Sequence, residues 1–312
     1  MLLNARSFAK GKTIKAGQTS ASLGCTGRYA VCSKGGMKKS KCWFAGSAAA
    51  ALFCLIASPK VVAEPPQATG GGNWVALPEL TDEFNGATLD PTKWQKGRPG
   101  WTGRESTFDP ANVYLTNGTL CLRSTAVNAD DIRAACCQST TASATSGCYY
   151  EASIKVSRLS MTSTFWLTGK YSEIDAMEQF GASLKRATNT QVLNMHVHYF
   201  PNGRSTDVGP RVTWKMPDSP TKAFHTYGMW WKDPRNVTYY FDGQEVGSIK
   251  TPGDFNESMN MLFTTEVFSK SDGRPTLESL RDPSRNTMYV DWVRSWRLVP
   301  ASESKATALT PK

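Results

Sequence analysis

Residues 165–181 read FWLTGKYSEIDAMEQFG, and this pattern predicts a half-buried β-strand that carries three carboxylates. Its aromatic and branched side chains suit a pleated sheet surface better than a turn. In a strand, Glu173 and Asp175 share one face, whereas strict alternation sends Glu178 to the other. One β-bulge between Asp175 and Glu178 would return Glu178 to the shared face, and we predict such a bulge.

The spacing of the two glutamates indicates a reaction class. With the bulge, the Cα atoms of Glu173 and Glu178 lie about 13 Å apart, at roughly 3.3 Å per strand residue. If each side chain leans inward by about 4 Å, the carboxyl groups are about 5 Å apart, as in retaining glycosidases. A solvated helix face is the alternative interpretation, but the apolar neighbours and Gly181 count against a helix.

The positive net charge of +10 belongs to one end of the chain. Residues 1–63 contain ten of the 36 Lys and Arg residues and none of the 26 Asp and Glu residues. Residues 64–312 therefore carry 26 charges of each sign. Because the excess is confined to the first 63 residues, it does not indicate a nucleic-acid partner.

The first 63 residues resemble a leader with a signal peptide. Residues 37–41 are basic, residues 42–57 form an apolar stretch, and small residues precede a cleavage site near Ala63. The apolar stretch is shorter than the roughly 20 residues of a membrane span. We therefore expect a bacterial export signal and a secreted or periplasmic protein, with Met1 and Met37 both open as the start. Residues 64–300 would form a single catalytic domain, and residues 301–312 a C-terminal tail.

Four of the eight cysteines lie beyond the leader: Cys121, Cys136, Cys137 and Cys148. An even number in an exported chain permits two disulfides in three connectivities, and free buried thiols are the alternative. A zinc site is disfavoured because two of these cysteines are adjacent and the chain has only three His.

Short alternating runs separated by turn residues predict an all-β fold. Asn117-Gly118 and Asp242-Gly243 each join two such runs as a hairpin turn. No long segment has a helical period. We expect a β-sandwich of two antiparallel sheets whose concave face lines an open substrate cleft.

Two of the ten Trp residues are candidates for sugar stacking. Trp166 precedes the acidic motif on a predicted strand, and Trp101 lies in a loop rich in Gly and Pro. Trp292 and Trp296, in the last predicted strand, are expected to be packing residues.

Several segments resemble glycoside hydrolase family 16, in its β-agarase and β-porphyranase branch. They are EIDAMEQFG, NMHVHYF, FHTYGMWWKDPRNVTYYFDG, TTEVF and VDWVRSWRLV, and the resemblance covers residues 74–299. It implies a β-jelly roll and a retaining endo-hydrolase for β-1,4 linkages of a red-algal galactan, with agarose as the expected substrate. Porphyran, another family 16 substrate such as κ-carrageenan or laminarin, and a non-catalytic galactan-binding lectin are the alternatives.

The resemblance also implies residue roles. Glu173 would be the nucleophile, Asp175 its helper and Glu178 the general acid/base. Glu266, and one of His196 and His198, match residues that face the sugar, although a surface carboxylate and a structural histidine are the alternatives.

An Arg-rich loop at residues 98–104 departs from the agarases. Arg104 or Arg133 near the cleft would suit a sulfate ester, which porphyran carries, and a plain surface arginine is the alternative. We expect no catalytic metal and no required cofactor, with a structural calcium possible in this family, and we expect a monomer.

Overall fold

The computed structural model describes residues 64–68 and 71–301. The predicted leader and its cleavage site therefore lie outside the described residues, as does all but the first residue of the predicted tail. No helix within the described residues is long and apolar enough to cross a bilayer.

Eighteen strands and five short helices form the described part of the chain. The strands are Asn73–Ala76 (β1), Trp94–Lys96 (β2), Thr107–Phe108 (β3), Val113–Thr116 (β4), Thr119–Arg123 (β5), Thr125–Ala126 (β6), Ile132–Ala134 (β7), Cys136–Ser139 (β8), Cys148–Lys155 (β9), Thr162–Thr168 (β10), Ser172–Phe180 (β11), Val192–Tyr199 (β12), Arg211–Lys215 (β13), His225–Asp233 (β14), Asn236–Phe241 (β15), Gln244–Lys250 (β16), Asn260–Glu266 (β17) and Thr287–Val299 (β18). Single 3₁₀ turns lie at Pro78–Leu80, Pro110–Asn112, Ala187–Gln191 and Arg204–Thr206, and the one α-helix of the described residues is Leu277–Arg281 (α1).

Two large antiparallel sheets confirm the predicted sandwich. One has the strand order β16-β15-β14-β9-β18-β5-β4, with β1 paired to β18, and the other has the order β13-β12-β11-β10-β17-β8-β2. A third, small sheet has the order β3-β7-β6. The strands β10, β11 and β12 follow one another along the chain, whereas β17, which pairs with β10, is distant from them in sequence.

The hydrophobic core fills the space between the two large sheets. Tyr150 and Ile154 of β9 face it from one sheet, and Phe165, Ile174 and Phe263 face it from the other. Each large apolar side chain buried in this way stabilises the fold by roughly 1.5–3 kcal/mol. This layer leaves the opposite face of the β10, β11, β12 and β17 strands free to carry polar groups.

Both predicted hairpin turns are confirmed. Asn117 and Gly118 join β4 to β5, and both have positive φ angles, of 51° and 68°. Asp242 and Gly243 join β15 to β16 in the same way, with φ angles of 47° and 77°. Asn, Asp and Gly tolerate the left-handed region that this turn type requires.

Cys121, Cys136, Cys137 and Cys148 are free and buried. The structure therefore has the free thiols that were the alternative, and not the two disulfides. Cys136 and Cys137 are adjacent in β8, and their side chains therefore point to opposite faces. Cys137 packs in the core between the sheets, whereas Cys136 packs against Trp166 and Leu262 on the other face.

The two tryptophans of β18 are packing residues, as predicted. Trp292 is buried, and Trp296 stacks on Tyr149 with a ring separation of 5.8 Å.

Candidate active site

The predicted β-bulge is present in β11. Trp166 of β10 pairs with Asp175, and the preceding Phe165 pairs with Met177, so Ala176 is an extra residue without a partner in that ladder. On the other side of β11 the register also shifts between Asp175 and Glu178. This extra residue shifts the alternation of side chains by one, so Glu178 lies on the same face of the strand as Asp175.

The bulge places the three carboxylates on one face of the sheet. Glu173, Asp175 and Glu178 pair with Thr168, Trp166 and Thr164, which alternate along β10 and share a face. Without Ala176, Glu178 would point toward the core, where an unpaired carboxylate costs several kcal/mol.

All nine predicted site residues line one cavity of about 710 Å³ on this face. They are Trp101, Arg104, Trp166, Glu173, Asp175, Glu178, His196, His198 and Glu266. Arg133, the alternative to Arg104, is not among the lining residues and pairs with Asp131 at 2.7 Å. Of the two candidate arginines, the cavity therefore includes only Arg104.

Glu173 is held by two partners. The guanidinium of Arg204 donates to Glu173 Oε2 at 3.0 Å, and the hydroxyl of Thr168 donates to the same oxygen at 3.3 Å. Arg204 also donates to Thr168 Oγ1 at 3.3 Å. Both partners donate to the same oxygen, so they fix the orientation of the Glu173 carboxylate in the cavity.

Asp175 and Glu178 each face a histidine of β12. His198 Nε2 lies 3.5 Å from Asp175 Oδ2, and His196 Nδ1 lies 3.3 Å from Glu178 Oε2. The other ring nitrogen of His198, Nδ1, is 2.6 Å from Asp207 Oδ2. His198 thus lies between two carboxylates, one from the sheet and one from the loop after β12.

The protonation of these groups is strongly perturbed. Burial raises the pKa of Asp175 well above its usual range; the charges of Glu173 and Glu178 raise it further, although the hydrogen bond from His198 opposes them. Burial alone would lower the pKa of His198, but its hydrogen bonds to Asp175 and Asp207 and the nearby negative charges raise it to about 10. Asp175 and His198 therefore hold a proton between them at neutral pH.

Glu266 is a second buried carboxyl group in the cavity. Thr264 Oγ1 donates to Glu266 Oε1 at 3.0 Å and accepts from Trp166 Nε1 at 3.2 Å. Burial raises the pKa of Glu266 to about 8 despite the hydrogen bond from Thr264, and the charge of Glu178 adds to the shift. Glu266 is therefore largely protonated at neutral pH.

Aromatic rings and guanidinium groups form one side of the cavity. Trp101 and Trp166 meet edge to face with ring centroids 5.9 Å apart, and the Arg98 guanidinium lies 5.4 and 5.3 Å from the two rings. Arg104 lies 4.0 Å over the ring of Phe268. Within the described part of the chain, neither Arg98 nor Arg104 takes part in an ion pair.

Comparison with known proteins assigns the chain to a family. The sequence model of the β-porphyranase A–D domain of glycoside hydrolase family 16 matches residues 74–298, which is more than two thirds of the chain. This chain is a glycoside hydrolase of family 16. The resemblance predicted from its motifs is thereby confirmed, and so is the enzyme class.

The relatives of this hydrolase include porphyranases and agarases. It is 32% identical to β-porphyranase B of Phocaeicola plebeius over 288 residues, which cover 76% of this chain and 89% of the relative. It is 33% identical to β-porphyranase E of Zobellia galactanivorans over 259 residues, with coverage of 75% and 91%.

Solved structures agree with this assignment. A β-porphyranase from the gut bacterium Bacteroides plebeius matches with a TM-score of 0.68 and 30% identity, covering 76% of the hydrolase and 96% of that chain. β-Agarase A of Zobellia galactanivorans matches with a TM-score of 0.71 and 23% identity, over 78% and 100% of the two chains, and at that identity the match shows the fold alone. The fold of the hydrolase is the predicted jelly roll.

One group of side chains in the described part of the hydrolase could hold a metal ion. Asp175, His196 and His198 each bring a ligand atom within 4.8 Å of the others. A metal would have to displace the proton that Asp175 and His198 hold between them, because metal-bound carboxylate and imidazole groups carry no proton.

Three lining residues of the hydrolase have roles that the sequence did not predict. Arg98 belongs to the Arg-rich loop, but its place between two Trp rings depends on how β10 packs beside that loop. Arg204 and Asp207 lie in the loop between β12 and β13. The sequence showed only that Arg204 and Asp207 are charged residues in the loop directly after the strand of His196 and His198.

Proposed function

We propose that this hydrolase cleaves β-1,4 linkages within a red-algal galactan, with retention of configuration through a covalent glycosyl-enzyme. The observation that carries the proposal is the bulge at Ala176, because it turns Glu173 and Glu178 toward the same cavity. Retaining and inverting glycosidases both use two such carboxyl groups, and the separation of about 5 Å that the strand spacing predicts here is that of a double displacement.

In the first step, a carboxylate oxygen of Glu173 bonds to the anomeric carbon. The bond from that carbon to the glycosidic oxygen breaks, and Glu178 gives its proton to the departing oxygen. In the second step Glu178 takes a proton from water, the water oxygen bonds to the anomeric carbon, and the ester bond to Glu173 breaks. Arg204 and Thr168 hold Glu173 through one oxygen, and Asp175 between the two glutamates is the proposed helper.

Three arginines that line the cavity favour a sulfated galactan. The sequence alone favoured agarose, but Arg98, Arg104 and Arg204 all line the cavity, and two of them have no ion-pair partner among the described residues. Arginine binds the oxygens of a sulfate ester through paired N–H donors. The two relatives described above are also porphyranases. We therefore propose porphyran as the preferred substrate and agarose as the second candidate.

Two substitutions test the catalytic roles. Glu173→Gln removes the nucleophile and is expected to lower kcat by more than about 1,000-fold. Glu178→Gln removes the proton donor, so azide should restore turnover on an activated glycoside and yield a glycosyl azide of retained configuration. Glu245→Gln, an exposed residue of β16, is the control and should keep full activity. Unimpaired hydrolysis by Glu173→Gln would disprove the nucleophile assignment, and binding of galactan without any hydrolysis would favour the lectin alternative.

The rate at which the hydrolase releases reducing ends from each polysaccharide distinguishes between the candidate substrates. Porphyran, agarose, κ-carrageenan and laminarin are compared at equal mass concentration, and the products are sized. Faster release from porphyran than from agarose is expected. Equal or faster release from agarose would reject the sulfate preference and leave the catalytic roles intact.

Export of the mature domain is part of the same proposal. Cleavage near Ala63 would release residues 64–300 as a single domain with the short tail, outside the cytoplasm. N-terminal sequencing of the protein from culture medium or periplasm tests this. A monomer and the absence of a required cofactor stay predictions, as does the possible structural calcium, and light scattering and activity after chelation test them.

A further inference from the structure

The cavity lies across several strands of one large sheet, and one more strand lies beside it. Asp175 of β11 pairs with His196 of β12, and His196 pairs with Arg211 of β13, so the three side chains share one face of the sheet. Asp175 and His196 line the cavity, whereas Arg211 lies outside it. The sheet ends at β13. The face that carries the cavity therefore continues past His196 onto an edge strand.

Strand β13 has two unlike faces. Val212 and Trp214 pack against the hydrophobic core between the sheets. Arg211, Thr213 and Lys215 alternate with them along the strand, so they lie on the opposite face, and all three are exposed. We call this face, formed by residues 211, 213 and 215, the edge face of β13. It is the face that continues the cavity.

The edge face carries only positive charge. Arg211 and Lys215 are the charged residues of β13, and within the described part of the chain neither takes part in an ion pair. Their Cα atoms are about 13 Å apart, at roughly 3.3 Å per strand residue. Thr213 between them has a hydroxyl that both donates and accepts hydrogen bonds. Such a face is complementary to an anionic partner that is rich in hydroxyl groups.

Protection of the sheet edge is the alternative role for these charges. Charged side chains on an edge strand keep it from pairing with another molecule. That role is served by charges of either sign, whereas both charges here are positive. They also lie beside a cavity that three further arginines line. The sign and the location of the charges together favour an anionic ligand over protection of the edge alone.

The proposed substrate extends beyond the cavity, because an enzyme that cleaves within a polymer binds a chain longer than its active site. The cavity is lined from β10, β11, β12 and β17, which lie side by side. A chain that lies across these strands leaves the cavity over β13 on one side. At a strand spacing of about 4.8 Å, the Cα atoms of Arg211 and Asp175 are about 10 Å apart. The edge face therefore begins directly outside the cavity.

We propose that the edge face of β13 is a further binding surface for the sulfated galactan, on which Arg211 and Lys215 bind sulfate esters of the chain outside the cavity. The proposal rests on the proposed function, which supplies both the polymeric substrate and its sulfate groups. Neither residue touches the bond that is cleaved. The edge face therefore contributes to binding of the polymer and not to the two chemical steps.

Binding is measured first, in the Glu173→Gln background so that the polymer stays intact. Calorimetric titration with porphyran compares the double variant Arg211→Gln/Lys215→Gln with Lys250→Gln/Arg297→Gln, which removes two exposed cations from the other large sheet. The first double variant should bind porphyran about five-fold more weakly, because two exposed ion pairs are lost. The second should bind as the parent does. The difference between them should shrink at high salt, since salt screens exposed charges.

Chain length provides the second measurement, with Glu173 intact. On porphyran, Arg211→Gln/Lys215→Gln should raise KM about five-fold and leave kcat unchanged, because these residues bind the ground state and the transition state equally. On the shortest sulfated oligosaccharide that the hydrolase cleaves, and on neutral agarose, its kinetics should match those of the control double variant.

Equal binding of porphyran by the two double variants would overturn the proposal. A loss as large on agarose or on the shortest oligosaccharide would also overturn it, since the residues would then act through the fold or the cavity. Self-association of Arg211→Gln/Lys215→Gln in light scattering, with unchanged binding of porphyran, would show that the charges only protect the sheet edge.

Failure of the proposed function would look different. Faster hydrolysis of agarose than of porphyran by the unsubstituted hydrolase would reject the sulfate preference of the cavity. The difference in porphyran binding between the two double variants is measured without turnover, so it would still decide the role of the edge face.

Discussion

Arg204 Nη2 lies 3.0 Å from Glu173 Oε2, so a residue from a surface loop neutralises the charge of the proposed nucleophile. The Arg204 side chain is 56% exposed, and solvent weakens such a pair. Replacement of Arg204 by Gln should therefore raise the activation free energy by about 1 kcal/mol, which lowers kcat about five-fold. The expected loss should shrink at high salt, because salt screens exposed charges.

Steady-state kinetics of Arg204→Gln at low and high ionic strength test this prediction. Arg297→Gln, an exposed arginine of β18 in the other large sheet, is the matched control and should behave as the unsubstituted enzyme. Equal kinetics for both variants would mean that Arg204 contributes nothing to Glu173.

Glu266 should make the stability of the enzyme depend on pH. Its pKa of about 8 in the folded protein exceeds the value of 4.5 for a free side chain. The folded state therefore holds the Glu266 proton more tightly than the unfolded state does. The resulting contribution to the free energy of unfolding is complete below about pH 4.5 and is lost as the pH rises to about 8.

Glu266→Gln replaces the protonated acid with an amide that does not titrate. The free energy of unfolding of this variant should rise relative to the unsubstituted enzyme by on the order of a few kcal/mol between pH 4.5 and 8. Urea unfolding at four pH values across that window measures the difference. Parallel curves for the two proteins would contradict the prediction.

Glu257 holds the turn that leads into the acidic strand. Its Oε2 accepts from the Lys170 amide at 2.6 Å, and its Oε1 accepts from the Tyr171 amide at 2.9 Å and the Ser172 hydroxyl at 2.6 Å. A Cβ at Gly169 would lie 2.3 Å from the Glu257 Cδ, so this turn leaves no room for a side chain. The carboxylate thus fixes the backbone directly before the proposed nucleophile.

Glu257→Ala should lower the free energy of unfolding by about 2 kcal/mol, because three donors lose a charged acceptor. Chemical denaturation measures the loss, and Glu245→Ala on the exposed edge of the other sheet is its control. An unchanged midpoint for Glu257→Ala would show that water replaces the carboxylate at no cost.

The four described cysteines should behave as buried thiols. Alkylation of the native protein without reductant should be slow, because burial keeps the side chains from the reagent. Burial also raises the pKa of Cys121 to about 11 and that of Cys136 to about 12, so little of either side chain is thiolate. After unfolding without reductant, all four should carry the label in a peptide map. A disulfide-linked peptide containing any of them would contradict the structure.

Local pattern was sufficient to predict the acidic strand and both hairpins. The bulge followed from parity, because three acids at residues 173, 175 and 178 cannot share a face of a regular strand. The Asn-Gly and Asp-Gly turns followed from the backbone conformation that those residues tolerate. Each of these conclusions depends on neighbours only a few residues apart.

The residues that surround the acids were harder to predict. Arg204 and Asp207 act on side chains of β11 and β12 from a loop, and Glu257 reaches the β10–β11 turn from 85 to 87 residues away along the chain. Arg133 appeared equivalent to Arg104 in the sequence, yet its strand joins the small sheet and it pairs with Asp131. Loop conformation and strand order determine these contacts, and neither is encoded by a local period.

Side-chain alternation and turn chemistry are local properties, so the all-β class, the bulged strand and the three acids on one face could be predicted from the order of the residues. The charges that lie beside those acids depend instead on how the strands and loops pack. Asp175 is buried by neighbouring strands, His198 faces it from β12, and Asp207 reaches His198 from the loop beyond. Burial and charge pairing depend on distances through space, so they arise only when the strands and loops have packed together.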